Sequence, residues 1–466
     1  MKAKIIVGML LVPVLSMAAP TRSLTPQEQM LGCSPKIGCE GYLPTTEGQV
    51  AVISQEESLG LRLQMLKSAR KSIKIQALIF SGDESGMRVA EILKQKRAEG
   101  VQVQVIVDGL SNPSQTTQWM FFDMLNHGID IEGYEPALLQ WMNEVNVNPM
   151  VVNKRFHEKI FLVDDNTAVV GGLNIANEYF RMGKGPSGNW RDQDVIVRGE
   201  IIKDIRTVFD RNFGYFKMLK SIRPDLFNPD KWRSALSEVN RFIGKVFGNF
   251  PGRDKIHAKV LSAERMIIQP QYVSASMRFI QSRPRFHESY IYREYINQIN
   301  QAQSEVTIVN AYFVPGHDFT AAVRAAQARG VKVTILTNSP GTNDLPQLTY
   351  VGRQFYAQLF NGNLHMYEWQ GKKYGEGTIH AKFAVFDRKH AIVGSYNLDP
   401  RSENLNSESA LTINSAYIAE SLLHTVENLD LKKSEPITLK QAEGFKNKDL
   451  PTMFNAALGM PLKDWL

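Results

Sequence analysis

Two stretches of the chain carry one pattern of polar residues. Residues 156–175 read FHEKIFLVDDNTAVVGGLNI, and residues 379–398 read IHAKFAVFDRKHAIVGSYNL. Each has a His, one residue, a Lys, four residues, an Asp, six residues, a Gly, a small residue, one residue and an Asn. A neutral imidazole can attack phosphorus or move a proton near pH 7. His157 and Lys159 alternate like strand residues, so their side chains face the same way. Lys159 and Lys382 supply fixed positive charge for phosphate oxygens, and the amides of Asn174 and Asn397 donate to the same oxygens. The small pairs Gly171, Gly172 and Gly394, Ser395 let backbone and ligand approach closely. Asp164 and Asp387 complete the catalytic pattern, although their places at strand ends suit a turn-structuring role.

Cleaving a phosphodiester needs a nucleophile on one side of phosphorus and an acid behind the leaving oxygen. One His from each motif could supply both, through a phosphohistidine resolved by water or an alcohol. No dense cluster of Asp, Glu, His and Cys stands out, so the expected chemistry uses no metal and no cofactor. A third His-x-Lys, His257 and Lys259, has Glu264 in place of the Asp and no Gly-x-x-Asn downstream, and it reads as a decoy.

The elements around the motifs are also duplicated. From Ala69 and again from Ala302, an apolar strand is followed by a polar turn, an amphipathic helix ending near Gly100 or Gly330, and an alternating strand. A further helix and short strand precede each motif. Strands alternating with helices predict an α/β fold with mostly parallel sheets. The expected organisation is a signal peptide over 1–19, an N-terminal segment over 20–50, lobes over 51–225 and 286–428, a connector over 226–285, and a tail over 429–466. The site belongs at the interface of the lobes, so a monomer suffices as an internal pseudo-dimer.

Composition sets the context. The 466 residues are 43% apolar and 22% charged, enough for a sizeable core in a globular chain that needs no disulfide scaffold. A net charge of +7 favours anionic partners such as phospholipid headgroups or nucleic acid. Lys2 and Lys4, an apolar run from Ile5, and the small residues Ser16, Ala18 and Ala19 read as a secretory signal, with an apolar run too short for a membrane span. The only cysteines, Cys33 and Cys39, are expected to close a small disulfide loop in an oxidising compartment, periplasmic or extracellular. Residues 116–126 and 138–152 concentrate Trp, Met and Phe. The first reads as the core face of a helix; the second, just before His157, is equally suited to a lipid-facing rim and peripheral membrane contact.

These residues resemble the phospholipase D superfamily, and GGLNIANEYF, WRDQD and GSYNLDPRSENLNSE narrow the likeness to the bacterial cardiolipin synthase branch. Asn177 stands where that branch often has Asp. The resemblance covers roughly residues 54–424 and implies two α/β/α sandwich lobes. It implies His157 as nucleophile and His380 as general acid, with Lys159, Lys382, Asn174 and Asn397 on phosphate. Asp192 and Glu408 would each orient a His through its second ring nitrogen; the competing reading of Asp192 is a surface ion pair with Arg191. Asp399 and Arg401 read as architectural. The function implied is phosphatidyl transfer, or hydrolysis, on a phospholipid substrate. An exported nuclease acting on nucleic acid and a non-catalytic lipid-binding protein are the alternatives.

Overall fold

The computed structural model describes residues 22–108, 111–133, 155–183, 188–222 and 258–447. The expected signal peptide, residues 138–152 and His257 lie outside them. Among the described residues there are fifteen strands: β1 (Thr46–Ile53), β2 (Ser72–Ala77), β3 (Gln102–Val107), β4 (Asp130–Glu132), β5 (Ile160–Val163), β6 (Thr167–Gly171), β7 (Asp194–Gly199), β8 (Val273–Ser282), β9 (Glu305–Asn310), β10 (Lys332–Asn338), β11 (Leu364–Trp369), β12 (Lys382–Phe386), β13 (His390–Gly394), β14 (Glu408–Asn414) and β15 (Ser434–Ile437). All belong to one sheet. Outward from the central β1–β8 pair, one arm runs β7-β6-β5-β2-β3-β4. The other runs β14-β13-β12-β9-β10-β11, with β15 beyond.

The expectation of mostly parallel sheets is corrected. Among the described residues, four strand pairings are parallel and ten are antiparallel. Connection length explains the difference. Helices Glu84–Ala98, Gln115–Asn126, His317–Ala328 and Pro346–Leu359 return the chain between parallel neighbours of β2-β3-β4 and β9-β10-β11. The motif strands are instead joined by tight turns, which only antiparallel strands can use. Asn166 N–H donates to the Val163 carbonyl at 3.1 Å, and Lys389 N–H to the Phe386 carbonyl at 3.0 Å. The central residues of these turns, Asp164 and Asp165 in one and Asp387 and Arg388 in the other, all have positive φ, the type I′ geometry that matches hairpin twist.

The two arms also share a sheet rather than owning one each. β8, inside the stretch expected as connector, pairs with both β1 and β14, and β15, inside the expected tail, pairs with β11. Residues alternate between cores. Phe161 and Val163 enter a core under the helices of the first arm, whereas Ile160 and Leu162 enter one that spans both arms. Ile205 and Phe209 of helix Ile201–Ile222 and Leu422 and Leu423 of helix Ala416–Thr425 all belong to that shared core. Phe121 of helix Gln115–Asn126 is fully buried, so this part of residues 116–126 is core. Cys33 and Cys39 are joined by a disulfide. Among the described residues no helix is long and apolar enough to cross a membrane.

Candidate active site

His157 lies just before β5 and His380 just before β12, and each segment is pinned by the opposite arm. His157 N–H donates to the Ser407 carbonyl at 2.8 Å, and Ser407 N–H to the Arg155 carbonyl at 2.8 Å. His380 N–H donates to the Arg191 carbonyl at 2.6 Å, and Arg191 N–H to the Thr378 carbonyl at 2.8 Å. The residue after each pinning partner is an acid. Glu408 therefore reaches His157, with Nδ1 2.8 Å from Oε2, and Asp192 reaches His380, with Nδ1 2.6 Å from Oδ2. Each imidazole is thus oriented by a carboxylate from the other arm, leaving Nε2 for chemistry. Arg191 does not pair with the Asp192 carboxylate; it forms a buried ion pair with Asp430 at 3.1 Å.

Both imidazoles line one cavity of about 240 Å³, together with Asn174 and Asn397. Burial and the neighbouring lysine charges hold both rings well below the usual histidine range, hence neutral. Lys159 Nζ donates to the His157 carbonyl at 2.6 Å, and Lys382 Nζ makes the same bond to the His380 carbonyl. Burial lowers Lys159 to about 7, against the opposing pull of Glu408, and Lys382 to about 8, against that of Asp192. Burial pushes Glu408 up to about 7, although Lys159 and the hydroxyls of Ser395 and Ser402 favour its charge. Among the described residues no group of three or more His, Cys, Asp or Glu is arranged to hold a metal ion.

The small motif positions differ in use. A Cβ on Gly172 would lie 2.1 Å from Asp192 Oδ1, so only glycine lets that carboxylate approach. Its counterpart Ser395 instead donates to Glu408 Oε2 at 2.5 Å. Asn174 donates to the Tyr179 hydroxyl at 2.9 Å and accepts from Ile79 N–H at 3.1 Å. Asn397 Oδ1 is buried with no hydrogen-bond partner among the described residues.

Asp164 and Asp387 are corrected as members of the catalytic set. Each stands at the far end of its strand, five residues from the motif lysine, which at about 3.3 Å per residue is roughly 16 Å. Asp164 accepts the backbone N–H groups of Arg70, Lys71 and Ser72, and Asp387 those of Gln303, Ser304 and Glu305. Partial burial opposes their charge, but these donors win and hold both carboxyls below the usual range. They clip the hairpins to β2 and β9. Asn177 is structural too: its side chain accepts from Ser85 N–H and donates to Glu84. Lys259 is exposed on helix Ala258–Arg265 and absent from the cavity lining.

Other lining residues escaped the motif reading. Tyr179, Trp190 and Tyr312 surround the His380 ring, with centroids 5.3, 5.3 and 6.2 Å away. The Tyr312 hydroxyl donates to Asp344 at 2.8 Å. Arg155 and Arg401 also face the cavity. Leu78, Ser111, Tyr312 and Asp344 follow the parallel strands β2, β3, β9 and β10. The tendency of ligands to bind beyond carboxyl ends of such strands was the signal that could have found them.

The family model "Cardiolipin synthase, PLD-like domain" matches residues 63–212 and 295–429, more than half of the chain. The chain belongs to this family. Cardiolipin synthase of Halalkalibacterium halodurans is 27% identical over 346 residues, 74% of this chain and 58% of that protein. Cardiolipin synthase of Clostridium perfringens (strain SM101) is 28% identical over 380 residues, 81% of this chain and 69% of that protein. Cardiolipin synthase B of Salmonella typhi is 27% identical over 368 residues, 78% of this chain and 76% of that protein. This member of the family therefore spans less than two thirds of the H. halodurans relative. The crystal structure of phosphatidylserine synthase from Haemophilus influenzae Rd KW20 has a TM-score of 0.57 at 17% identity, over 90% of this chain and 95% of that one, a likeness of fold.

Proposed function

We propose that the protein transfers phosphatidyl groups between alcohols, with His157 as nucleophile and His380 as acid and base. The observation that carries this reading is the shared cavity, lined by two neutral imidazoles that are each bonded to a carboxylate of the opposite arm. His157 Nε2 attacks phosphorus, the bond to the first alcohol breaks, and that oxygen takes a proton from His380. The arriving phosphate offsets the lysine charges that keep His380 neutral, which lets the ring hold that proton. The phosphohistidine then passes to a second alcohol, whose proton returns to His380. Lys159 and Lys382 compensate the phosphate charge.

A phospholipid suits the cavity because Leu78, Ile79, Leu345 and Leu348 line it beside the polar groups. That rim supports peripheral contact with a bilayer and disfavours nucleic acid. The matched strand orders support a tandem duplication, so a single chain suffices for the two-histidine site. The leader-like N-terminus and the Cys33–Cys39 bridge support a periplasmic or extracellular location.

The test is mass spectrometry of lipids after incubation with phosphatidylglycerol and phosphatidylethanolamine vesicles, with plasmid DNA in parallel. Cardiolipin or exchanged lipid is expected, together with an acid-labile phosphoryl adduct on His157. Nicked plasmid with unchanged lipid would replace this reading with the nuclease one.

A further inference from the structure

We propose that Asp344, held by Tyr312, forms the alcohol subsite of the catalytic cavity. Its carboxylate accepts a second hydroxyl of the alcohol that enters or leaves beside His380, and so selects polyols over simple alcohols. This rests on the transfer reaction above and deepens it by naming the group that reads the alcohol.

In-line exchange fixes where the alcohol stands. With His157 attacking phosphorus, the leaving oxygen lies on the opposite side, beside His380, and the accepting oxygen returns to the same place. Tyr312 is on that side. Its ring meets the His380 ring edge-on, with centroids 6.2 Å apart, and Lys382 Nζ lies 5.9 Å from the Tyr312 centroid. The Tyr312 hydroxyl in turn is 2.8 Å from each Asp344 oxygen. Both residues line the cavity, and Asp344 keeps exposed surface there.

One hydroxyl proton cannot fill a carboxylate. Two oxygens offer about four acceptor positions, and the Tyr312 proton takes one of them. The remaining capacity suits hydroxyl protons, whereas the negative charge repels phosphate oxygens. A carboxylate here therefore fits the alcohol end of a phosphodiester and not its phosphorus. Tyr312 fixes where the carboxylate points. The turn that carries it into helix Pro346–Leu359 is held by its neighbour Asn343, which accepts Leu345 N–H at 2.9 Å and donates to Thr349 at 2.7 Å.

The first arm shows that the fold does not require this pair. Phe80 bridges to Ile175 and Phe313 to Leu398, and Ile175 and Leu398 hold the same place in the two motifs. Ile79 and Tyr312, one residue earlier, therefore correspond. Ile79 also lines the cavity but brings only an aliphatic side chain to it. The hydroxyl-reading pair thus stands on one side alone, the side of the proposed acid. One hydroxyl of a polyol then exchanges its proton with His380 while another rests on Asp344. A free glycerol and the glycerol headgroup of a phospholipid both carry that second hydroxyl.

The test lets alcohols compete in one reaction, so the readout is a product ratio that does not depend on how much enzyme has folded. Phosphatidylglycerol vesicles are the donor. Isotopically labelled glycerol, propanol and ethanolamine at equal concentration are the soluble acceptors, and mass spectrometry counts the phosphatidyl products. In Asp344→Ala, labelled phosphatidylglycerol relative to phosphatidylpropanol is expected to fall about tenfold, equivalent to 1.4 kcal/mol of selective binding. Asp344→Asn keeps an acceptor oxygen and should retain part of the preference. Tyr312→Phe leaves Asp344 without its anchoring hydroxyl and should cost about threefold. A parallel fall in cardiolipin relative to phosphatidylpropanol supports a lipid headgroup on the subsite, and a fall for labelled glycerol alone supports a free polyol. An unchanged glycerol ratio in Asp344→Ala overturns the subsite, whatever Tyr312→Phe does. A fall for ethanolamine in place of glycerol overturns it too, because the carboxylate would then be pairing with an ammonium. No phosphatidyl product from the unaltered protein with any acceptor would sink the transfer reading itself, whereas products with an unchanged ratio sink the subsite alone.

Discussion

The two walls of the cavity share a backbone plan and differ in chemistry. On the first, Glu408 meets His157 through both carboxylate oxygens, at 2.9 and 2.8 Å, and Ser395 and Ser402 hold Glu408 in turn. Arginines stand beside it. On the second, Asp192 meets His380 through one oxygen, Gly172 makes room for it, and aromatic rings enclose the imidazole. A repeat can therefore keep its hydrogen-bonded frame while its side chains take up separate tasks. Charged groups collect around His157, the proposed nucleophile. Aromatic rings collect around His380, the proposed acid and base.

The sharpest way to break this comparison is to remove each imidazole. His157→Ala and His380→Ala should each lose at least about 10²–10⁴-fold in kcat, with circular dichroism unchanged. A phosphodiester donor with a nitrophenol leaving group should restore adduct formation to His380→Ala, because that oxygen departs without a proton, and not to His157→Ala. Restoration in the opposite variant would exchange the roles of the walls.

The lysines come next. Lys159→Met should cost about 10²–10³-fold, the loss typical of removing a stabilising donor from a transition state. Lys159 is lowered to about 7 and Lys382 to about 8, so the cations needed for phosphate are present below these values and lost above them. For the free enzyme, kcat/KM should thus fall as pH rises through 7 to 8, and Lys159→Arg should move that limb to higher pH. A flat alkaline profile would remove the lysines from the mechanism.

Smaller effects compare the two positioning acids. Gly172→Ala drives a Cβ into Asp192 and should lower kcat about 100-fold, while Ser395→Ala removes one hydrogen bond to a charged group and should cost about tenfold. Equal losses would mean that the walls tolerate disturbance alike. Last, Asp164→Ala and Asp387→Ala should leave folded-state kcat intact and lower urea-unfolding stability by about 1–3 kcal/mol in either arm. Loss of kcat without loss of stability would return these aspartates to the chemistry.

The residues proposed to act on phosphate were legible because their spacing repeats, and repetition sets His157 and His380 apart from the His257–Lys259 pair. Sheet direction was not. Strand–helix alternation predicts parallel neighbours correctly for β2-β3-β4 and β9-β10-β11, but the turns at Asp164 and Asp387 force antiparallel pairing in between. Arg155, Tyr312 and Asp344 carried no motif, since their relation to the histidines is spatial.

From the chain of letters alone came the types of group and their local order: imidazole, ammonium and amide at fixed intervals, twice over. Only the tertiary structure decided which acid serves which histidine. Backbone bonds from Ser407 to His157 and from Arg191 to His380 carry Glu408 and Asp192 across the molecule, over sequence separations of 251 and 188 residues. Local spacing is set by strand geometry, whereas that exchange depends on how two arms of one sheet fold against each other.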